Sequence, residues 1–190
     1  DALPILKEAN FRILVDAVNS TGGIVIPDLL KSLGVQHVDV LFGEATGHFS
    51  HNPEPLPENL TAIISEMKKG QYDLGIVVDP DVDRLCFICE DGTAFGEEYT
   101  LVAVADYILS KKKGNTVSNL SSTRALRDVT LKHGGQYFAA AVGEVNVVNQ
   151  MKEQSAIIGG EGNGGVIFPG SHYGRDALVG VGLFLTHLAE

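Results

Sequence analysis

Short blocks of apolar residues recur along the chain, separated by glycines and polar turns. Uninterrupted or alternating apolar runs predict four strands in the first half, at residues 11–16, 38–42, 74–78 and 85–89. Apolar residues at helical spacing predict two helices between the first three strands, one ending at Gly34 and one running from Pro57 to Gly70. This alternation of strands and helices is typical of an α/β unit.

The second half of the chain repeats this order. Strands are predicted at residues 116–120, 137–141, 156–158 and 166–168, and helices at 98–111, 121–133, 145–151 and from 176 onwards. A Ser-Thr turn occurs in both halves, and helix-ending glycines recur at Gly34 and Gly134. We therefore expect an α/β fold with two similar tandem α/β/α units and mostly parallel sheets, divided into residues 1–96 and 97–190.

Parallel sheets bind ligands at the carboxyl ends of their strands. The first unit has the sequence DPDVDR at that position, which we call the acidic loop (residues 79–84). The second has GGEGNGG, which we call the glycine-rich segment (residues 159–165). Both combine ionisable side chains with prolines or glycines that restrict or free the backbone, so we expect ligands to bind there.

The charge balance narrows the classes of partner. The chain has 14 basic and 24 acidic residues, a net charge of −10. This balance argues against a nucleic-acid surface, which needs a positive field. No apolar run has the length that a bilayer requires, so we expect no membrane partner. An acidic protein that handles an anionic substrate needs local positive charge, from a metal ion or from placed arginines.

The two cysteines, Cys86 and Cys89, lie in one apolar strand and are expected on opposite faces of it. The sequence has no second cysteine pair to complete a zinc site. We interpret both as buried free thiols, which fits a reducing cytoplasm.

The acidic loop carries Asp79, Asp81 and Asp83 at alternating positions, followed by Arg84. Three adjacent carboxylates repel one another unless a cation is present, and hard oxygen ligands select Mg²⁺ or Ca²⁺. A calcium loop of the EF-hand type is rejected, because Arg84 stands where that loop needs glycine for its sharp turn. The loop therefore predicts a metal site held by three aspartates.

Three functions fit such a loop. One is a haloacid-dehalogenase-like phosphatase with Asp79 as nucleophile, although no downstream acidic pair after a strand is found for it. Another is a Mg²⁺ site that steadies a phosphate carried by a different group. The last is a metal- or sugar-phosphate-binding module without chemistry.

The acidic loop resembles the D-G-D-x-D-R metal loop of the α-D-phosphohexomutases, with Pro80 in place of the usual glycine. The Pro-Glu-Pro-Leu-Pro-Glu-Asn run before residue 60, the Gly-Glu-Glu-Tyr junction at residues 96–99 and the glycine-rich segment resemble other parts of that family. The resemblance extends from Phe11 to Glu190 and covers the family's second and third domains only.

The resemblance implies an intramolecular phosphotransferase that interconverts hexose 1-phosphate and 6-phosphate through a phosphoserine and a bisphosphate. The substrate would be a phosphorylated glucose, mannose or glucosamine. Asp79, Asp81 and Asp83 would hold Mg²⁺, and Arg84 would offset developing charge. Glu161 and Asn163 would bind sugar hydroxyls, and Arg175 would line the same cleft. The serine-bearing and other flanking domains of the same polypeptide would be its partners, and the isolated chain would be inactive.

The run Ser50-His51-Asn52-Pro53 looks like the phosphoserine loop of that family, but it lies only 29 residues before Asp79. The family's nucleophile lies much further upstream of its metal loop. Prolines at 53, 55 and 57 favour an extended lead into a helix, in which adjacent side chains diverge. We therefore predict a structural role for Ser50.

Overall fold

A computed structural model describes residues 2–190. The first unit contains, in chain order, α1 (Ala2–Ala9), β1 (Arg12–Asp16), α2 (Gly22–Ser32), β2 (His37–Leu41), α3 (Thr61–Met67), β3 (Leu74–Val78) and β4 (Leu85–Cys89). The second unit contains α4 (Glu97–Lys111), β5 (Asn115–Asn119), α5 (Ala125–Lys132), β6 (Tyr137–Ala140), α6 (Glu144–Glu153), β7 (Ala156–Glu161), β8 (Gly165–Ile167) and α7 (Ala177–Ala189).

The two sheets have the same topology. Their strand orders are β2-β1-β3-β4 and β6-β5-β7-β8. In each sheet the first three strands are parallel, and the fourth runs antiparallel as the second arm of a hairpin. The prediction of two similar α/β/α units with mostly parallel sheets is confirmed. The central strand β3 is parallel to β1 but antiparallel to β4, which the sequence pattern did not distinguish.

Several element ends differ from the predictions. Pro57 opens a short 3₁₀ turn, Pro57–Asn59, and the α-helix begins only at Thr61. Helix α5 begins at Ala125 instead of near residue 121, because Asn119 Oδ1 accepts hydrogen bonds from the hydroxyls of Ser121 and Ser122 and holds that stretch as a turn. Helix α1 was not predicted.

One hydrophobic core joins the two units. Helices α4 and α7 of the second unit pack against β4 of the first, and α1 packs against α7. A single buried cluster accordingly contains Leu6 and Phe87 of the first unit together with Leu101 and Leu185 of the second. Burial of this shared apolar surface fixes the position of one unit relative to the other.

Backbone contacts support this junction beside the acidic loop. The Leu85 amide donates to the Gly164 carbonyl oxygen at 3.0 Å. Gly164 has a φ of +90°, and a Cβ there would lie 2.5 Å from the Leu85 carbonyl oxygen. Only glycine fits this close approach of the two backbone segments.

Cys86 is buried, as expected, and burial raises the pKa of its thiol to about 12. Cys89 is only partly buried, because it ends β4 at the sheet margin, so the expectation of two buried thiols holds for Cys86 alone. Both are free thiols. No helix within residues 2–190 is both long and apolar enough to cross a membrane.

Candidate active site

The acidic loop follows β3 directly and folds around its first residue. The Asp79 Oδ1 atom accepts hydrogen bonds from the backbone amides of Asp83 and Arg84, both at 3.0 Å. One carboxylate oxygen from each of Asp79, Asp81 and Asp83 can be chosen so that the three atoms lie within 4.8 Å of one another. The three predicted ligands are therefore brought together by the turn of the loop itself.

Pro80 is compatible with this turn. The left-handed backbone of the loop falls at Val82, with a φ of +60°, and not at Pro80. A β-branched residue in that region costs about 1–3 kcal/mol, and surrounding contacts must hold it there. Two such contacts are hydrogen bonds from the Ser20 and Thr21 hydroxyls to the Pro80 carbonyl oxygen, both at 2.7 Å. The Ser-Thr turn noted in the sequence thus anchors the acidic loop to the first unit.

The donor set fits a divalent cation. The buried Asp83 Oδ1 atom has no hydrogen-bond partner among the described residues. Burial, and secondarily the nearby carboxylates of Asp83 and Asp81, raise the pKa of Asp79 to about 7. A hard cation among the three carboxylates would bind the unpartnered oxygen and would lower the raised pKa, because it favours the ionised form of its ligands.

Arg84 lies beside these carboxylates. Its Nε atom is 3.6 Å from Asp79 Oδ2 and 3.9 Å from Asp83 Oδ1, and its Nη1 atom is 3.7 Å from Glu54 Oε1. These distances are those of ion pairs without hydrogen bonds, and the buried Nε atom has no hydrogen-bond partner within residues 2–190. The guanidinium is therefore near the acidic loop and still has donors for another anion.

Arg84 also faces a cavity between the two units, with a volume of about 240 Å³. Its lining residues include Glu54, Arg84, Glu97, Glu98, Ser121 and Asn163. A smaller pocket of about 130 Å³ shares Glu54 and Arg84 with it and reaches Asp79 and Pro80. The acidic loop and the glycine-rich segment thus open onto adjoining cavities.

Glu161 is not a loop residue, as the sequence suggested, but the last residue of β7, and only 4% of its surface is exposed. Its Oε1 atom accepts from Asn119 Nδ2 at 2.8 Å and from the Gly143 amide at 3.2 Å. Its Oε2 atom accepts from Arg175 Nη1 at 3.0 Å. Pairing with β5 and β8 extends β7 to this point and places the carboxylate at the carboxyl edge of the sheet.

Asn163 and Arg175 lie in different surroundings. Asn163 is in the turn after β7, lines the cavity, and accepts from the Gly165 amide through Oδ1 at 3.2 Å. Arg175 precedes α7 and pairs with Asp83 and Glu161. Asp176 caps α7, because its Oδ1 atom accepts from the Val179 amide. Of the predicted sugar contacts, Asn163 is thus the one that opens onto the cavity.

The Ser50 hydroxyl donates to Asn19 Oδ1, while His51 Nε2 lies 3.1 Å from Oδ1 of the buried Asp16. The serine and histidine therefore have separate partners, and Ser50 fastens its loop to the turn after β1. Sequence reasoning missed the Asp16–His51 pair and the role of Asn119. A carboxylate directly after the apolar run Ile13-Leu14-Val15 was the available signal for Asp16, whereas the mostly polar strand β5 gave none for Asn119.

The fold and the site define a protein with two tandem α/β/α units and a cation-competent acidic loop at the cleft between them. Family models described as phosphoglucomutase/phosphomannomutase, α/β/α domains II and III, match residues 3–92 and 96–190. The chain belongs to the phosphoglucomutase/phosphomannomutase family and contains its second and third domains. This membership confirms the resemblance and separates the chain from the haloacid-dehalogenase-like alternative.

Individual relatives and a solved structure are consistent with this family membership. A phosphoglucomutase/phosphomannomutase of Thermococcus kodakarensis is 36% identical over 176 residues, 92% of this chain. A probable phosphoglucosamine mutase of Methanopyrus kandleri is 32% identical over 94% of this chain. A crystal structure of a family protein from Burkholderia thailandensis matches 98% of this chain with a TM-score of 0.85 and 28% identity. The chain spans only 38%, 40% and 43% of these three proteins, respectively.

Proposed function

We propose that the chain is the metal- and sugar-binding middle part of a Mg²⁺-dependent phosphohexomutase, which interconverts hexose 1-phosphate and hexose 6-phosphate. The supporting observation is that the acidic loop and Asn163 open onto adjoining cavities, the larger of which lies between two units that share one core. The transferred phosphoryl group would be carried by a serine outside this chain, in the part of its relatives that the chain does not span.

Asp79, Asp81 and Asp83 would hold the ion, each through one carboxylate oxygen. A bound Mg²⁺ would neutralise charge on a phosphoryl oxygen during transfer. Arg84 lies within ion-pair distance of two of these carboxylates and at the cavity wall, so its guanidinium would bind phosphoryl oxygens as their charge increases. The shared core of the two units would keep the distance between the acidic loop and Asn163 constant, which matters because phosphoryl transfer depends on positioning.

Asn163 would supply hydrogen bonds to sugar hydroxyls from the other wall of the cavity. Glu161 would act beside it at the carboxyl edge of β7, where Asn119 and Gly143 fix its carboxylate. Polar groups of this kind can hold a hexose in either orientation, which an exchange between 1- and 6-phosphates requires. The hexose would be glucose, mannose or glucosamine, and the charge balance and free cysteines support a cytoplasmic location without nucleic-acid or membrane partners.

Titration calorimetry with the 190-residue chain tests this function. We expect Mg²⁺ to bind, and glucose, mannose or glucosamine 1-phosphate to bind more tightly in its presence. Arg84→Ala and Asn163→Ala should each weaken sugar phosphate binding by about tenfold, while Lys132→Ala on the exposed end of α5 should leave it unchanged.

Three results would contradict the proposal. Equal sugar phosphate affinity in the chain and in Arg84→Ala would remove the arginine from the site. An adduct of beryllium fluoride on Asp79 with Mg²⁺ would favour an aspartyl-phosphate enzyme instead. Mutase turnover by this chain alone would show that the nucleophile lies within these 190 residues.

A further inference from the structure

Arg175 connects the two units through one guanidinium. Its Nη2 atom donates to Asp83 Oδ2 of the acidic loop, 92 residues away in sequence. Its Nη1 atom donates to Glu161 Oε2 at the end of β7, at 3.0 Å. A third carboxylate, that of Glu144 at the start of α6, lies 3.6 Å from its Nε atom. The side chain is 16% exposed, so these ion pairs are largely shielded from water.

The backbone around Arg175 is fixed by the same two units. The Arg175 amide donates to Glu144 Oε1 at 2.9 Å, and the residue bridges Ile167 at the edge of the second sheet. Two residues later, the Ala177 amide donates to the carbonyl oxygen of Val82 at 3.1 Å. Residues 175–177 therefore hold the acidic loop through both a side chain and a main-chain hydrogen bond.

The two carboxylate oxygens of Asp83 have different surroundings. The Oδ2 atom is bound by the guanidinium, and the buried Oδ1 atom has no hydrogen-bond partner in the part of the chain that the structure describes. The single hydrogen bond from Arg175 Nη2 occupies Oδ2 and leaves Oδ1 available to the acidic cluster. Both terminal nitrogens of Arg175 are occupied by carboxylates, so its geometry is that of a positioning residue and not of a contact to sugar or phosphate.

We propose that Arg175 is a positioning residue that links cation binding at the acidic loop to the pairing of Arg175 with the Glu161 carboxylate in the other unit. This inference rests on the proposed function, because it concerns the same metal and sugar sites. Asp83 and Glu161 compete for one guanidinium. When the Glu161 carboxylate is removed by substitution or is bound to another group, Arg175 pairs more strongly with Asp83. The stronger pairing weakens the binding of a cation by Asp83. Linkage requires the reverse effect as well: a cation on Asp83 weakens the pairing of Asp83 with Arg175 and strengthens the pairing of Arg175 with Glu161.

Mn²⁺ titration followed by electron paramagnetic resonance tests this link without any catalytic readout. We expect Glu161→Gln to weaken Mn²⁺ binding by about fivefold, the lower end of typical coupling between sites. The same substitution in an Arg175→Met background should change the affinity by less than about twofold, because the mediator is absent. Glu153→Gln, which removes an exposed carboxylate from the same unit, serves as the matched control and should have no effect.

Equal effects of Glu161→Gln in both backgrounds would overturn the proposal, because they would indicate long-range charge alone. Arg175→Lys, which keeps the charge without the planar fork, replaces Arg175→Met if that variant does not fold, and should also reduce the effect. A urea-unfolding cycle of Asp83→Asn and Glu161→Gln decides the link even in a chain that binds no Mn²⁺. The link is supported if the urea midpoint shifts of the two single variants do not add up in the double variant when Arg175 is present, but do add up when Arg175 is replaced. Shifts that add up while Arg175 is present contradict the link.

Discussion

The rings of Phe87 and Phe184 stack with their centroids 3.7 Å apart, although one residue lies on β4 of the first unit and the other on α7 of the second. Phe95 packs edge-on against both rings. This aromatic group lies in the core that both sheets share. The cleft that contains the acidic loop and Asn163 is therefore formed between two parts of one packed body.

Phe184→Ala should destabilise both units together. Removing a buried aromatic side chain costs about 3–5 kcal/mol through lost burial and the cavity left behind. Urea unfolding followed by circular dichroism should show one transition at a lower midpoint. Leu188→Ala, at an exposed position of the same helix, should cost about 0.5 kcal/mol or less. Separate transitions for the two units in the parent chain would contradict the shared core.

Asp81→Asn gives the cleanest test of a single proposed ligand. Asp81 is the exposed member of the acidic cluster, so its loss should hardly change stability. We expect Mg²⁺ affinity to fall by about tenfold or more, because a neutral amide is a weaker ligand than a carboxylate. Asp91→Asn, in the exposed turn after β4, is the control. Calorimetric titrations that give the same Mg²⁺ affinity in all three chains would remove Asp81 from the site.

Cation binding should depend on pH through Asp79. Burial and its acidic neighbours raise the pKa of this carboxyl to about 7, so it holds a proton at lower pH when no ion is bound. A divalent ion must then displace that proton, and affinity should fall by up to about tenfold per pH unit below 7 and level off above it. Mn²⁺ titrations between pH 5 and pH 8 would measure this. An affinity that stays constant over that range would contradict the assignment of Asp79 as a ligand.

His51→Ala should destabilise the protein through Asp16. Asp16 is fully buried, and His51 Nε2 lies 3.1 and 3.2 Å from its two oxygens. Removing the imidazole leaves a buried carboxylate without that hydrogen-bond partner, which costs about 1–3 kcal/mol or more at neutral pH. Burial raises the pKa of Asp16, and loss of the histidine would raise it further. Because a raised carboxyl pKa stabilises the fold at low pH and loses that stabilisation as the pH rises, the deficit should shrink toward pH 4.

Urea unfolding of the parent and His51→Ala at pH 4 and pH 7 measures this difference. His48→Ala provides a control in the same loop, because His48 is exposed. A deficit that is equal at both pH values would indicate lost packing instead of an unpaired carboxylate.

Strands with uninterrupted apolar runs were predictable to the residue. The expected β3 and β4, for example, match the observed Leu74–Val78 and Leu85–Cys89. The direction of β4 was not predictable, since a buried strand has the same pattern in a parallel and an antiparallel pair. The start of α5 was misjudged because Ser121 and Ser122 resemble helix caps in sequence but hydrogen-bond to Asn119.

The clustering of the three aspartates followed from their spacing, because all of them lie within one turn after a strand. The surroundings of Arg175 did not follow from residue spacing. Asp83 and Glu161 lie in different units and reach the same guanidinium only when the two units pack. The Asp16–His51 pair was missed because its residues are 35 apart in sequence and meet only when the first unit folds. Contacts within a loop can be derived from sequence, whereas contacts between distant segments require the fold.

The most direct test of the account is an anomalous-scattering map from a crystal of this chain grown with Mn²⁺. The account predicts one peak within coordination distance, about 2.1–2.2 Å, of carboxylate oxygens of Asp79, Asp81 and Asp83, with Arg175 on the other oxygen of Asp83. A well-ordered acidic loop without a peak, or a peak held by other residues, would contradict the central claim that these three aspartates form a divalent-cation site.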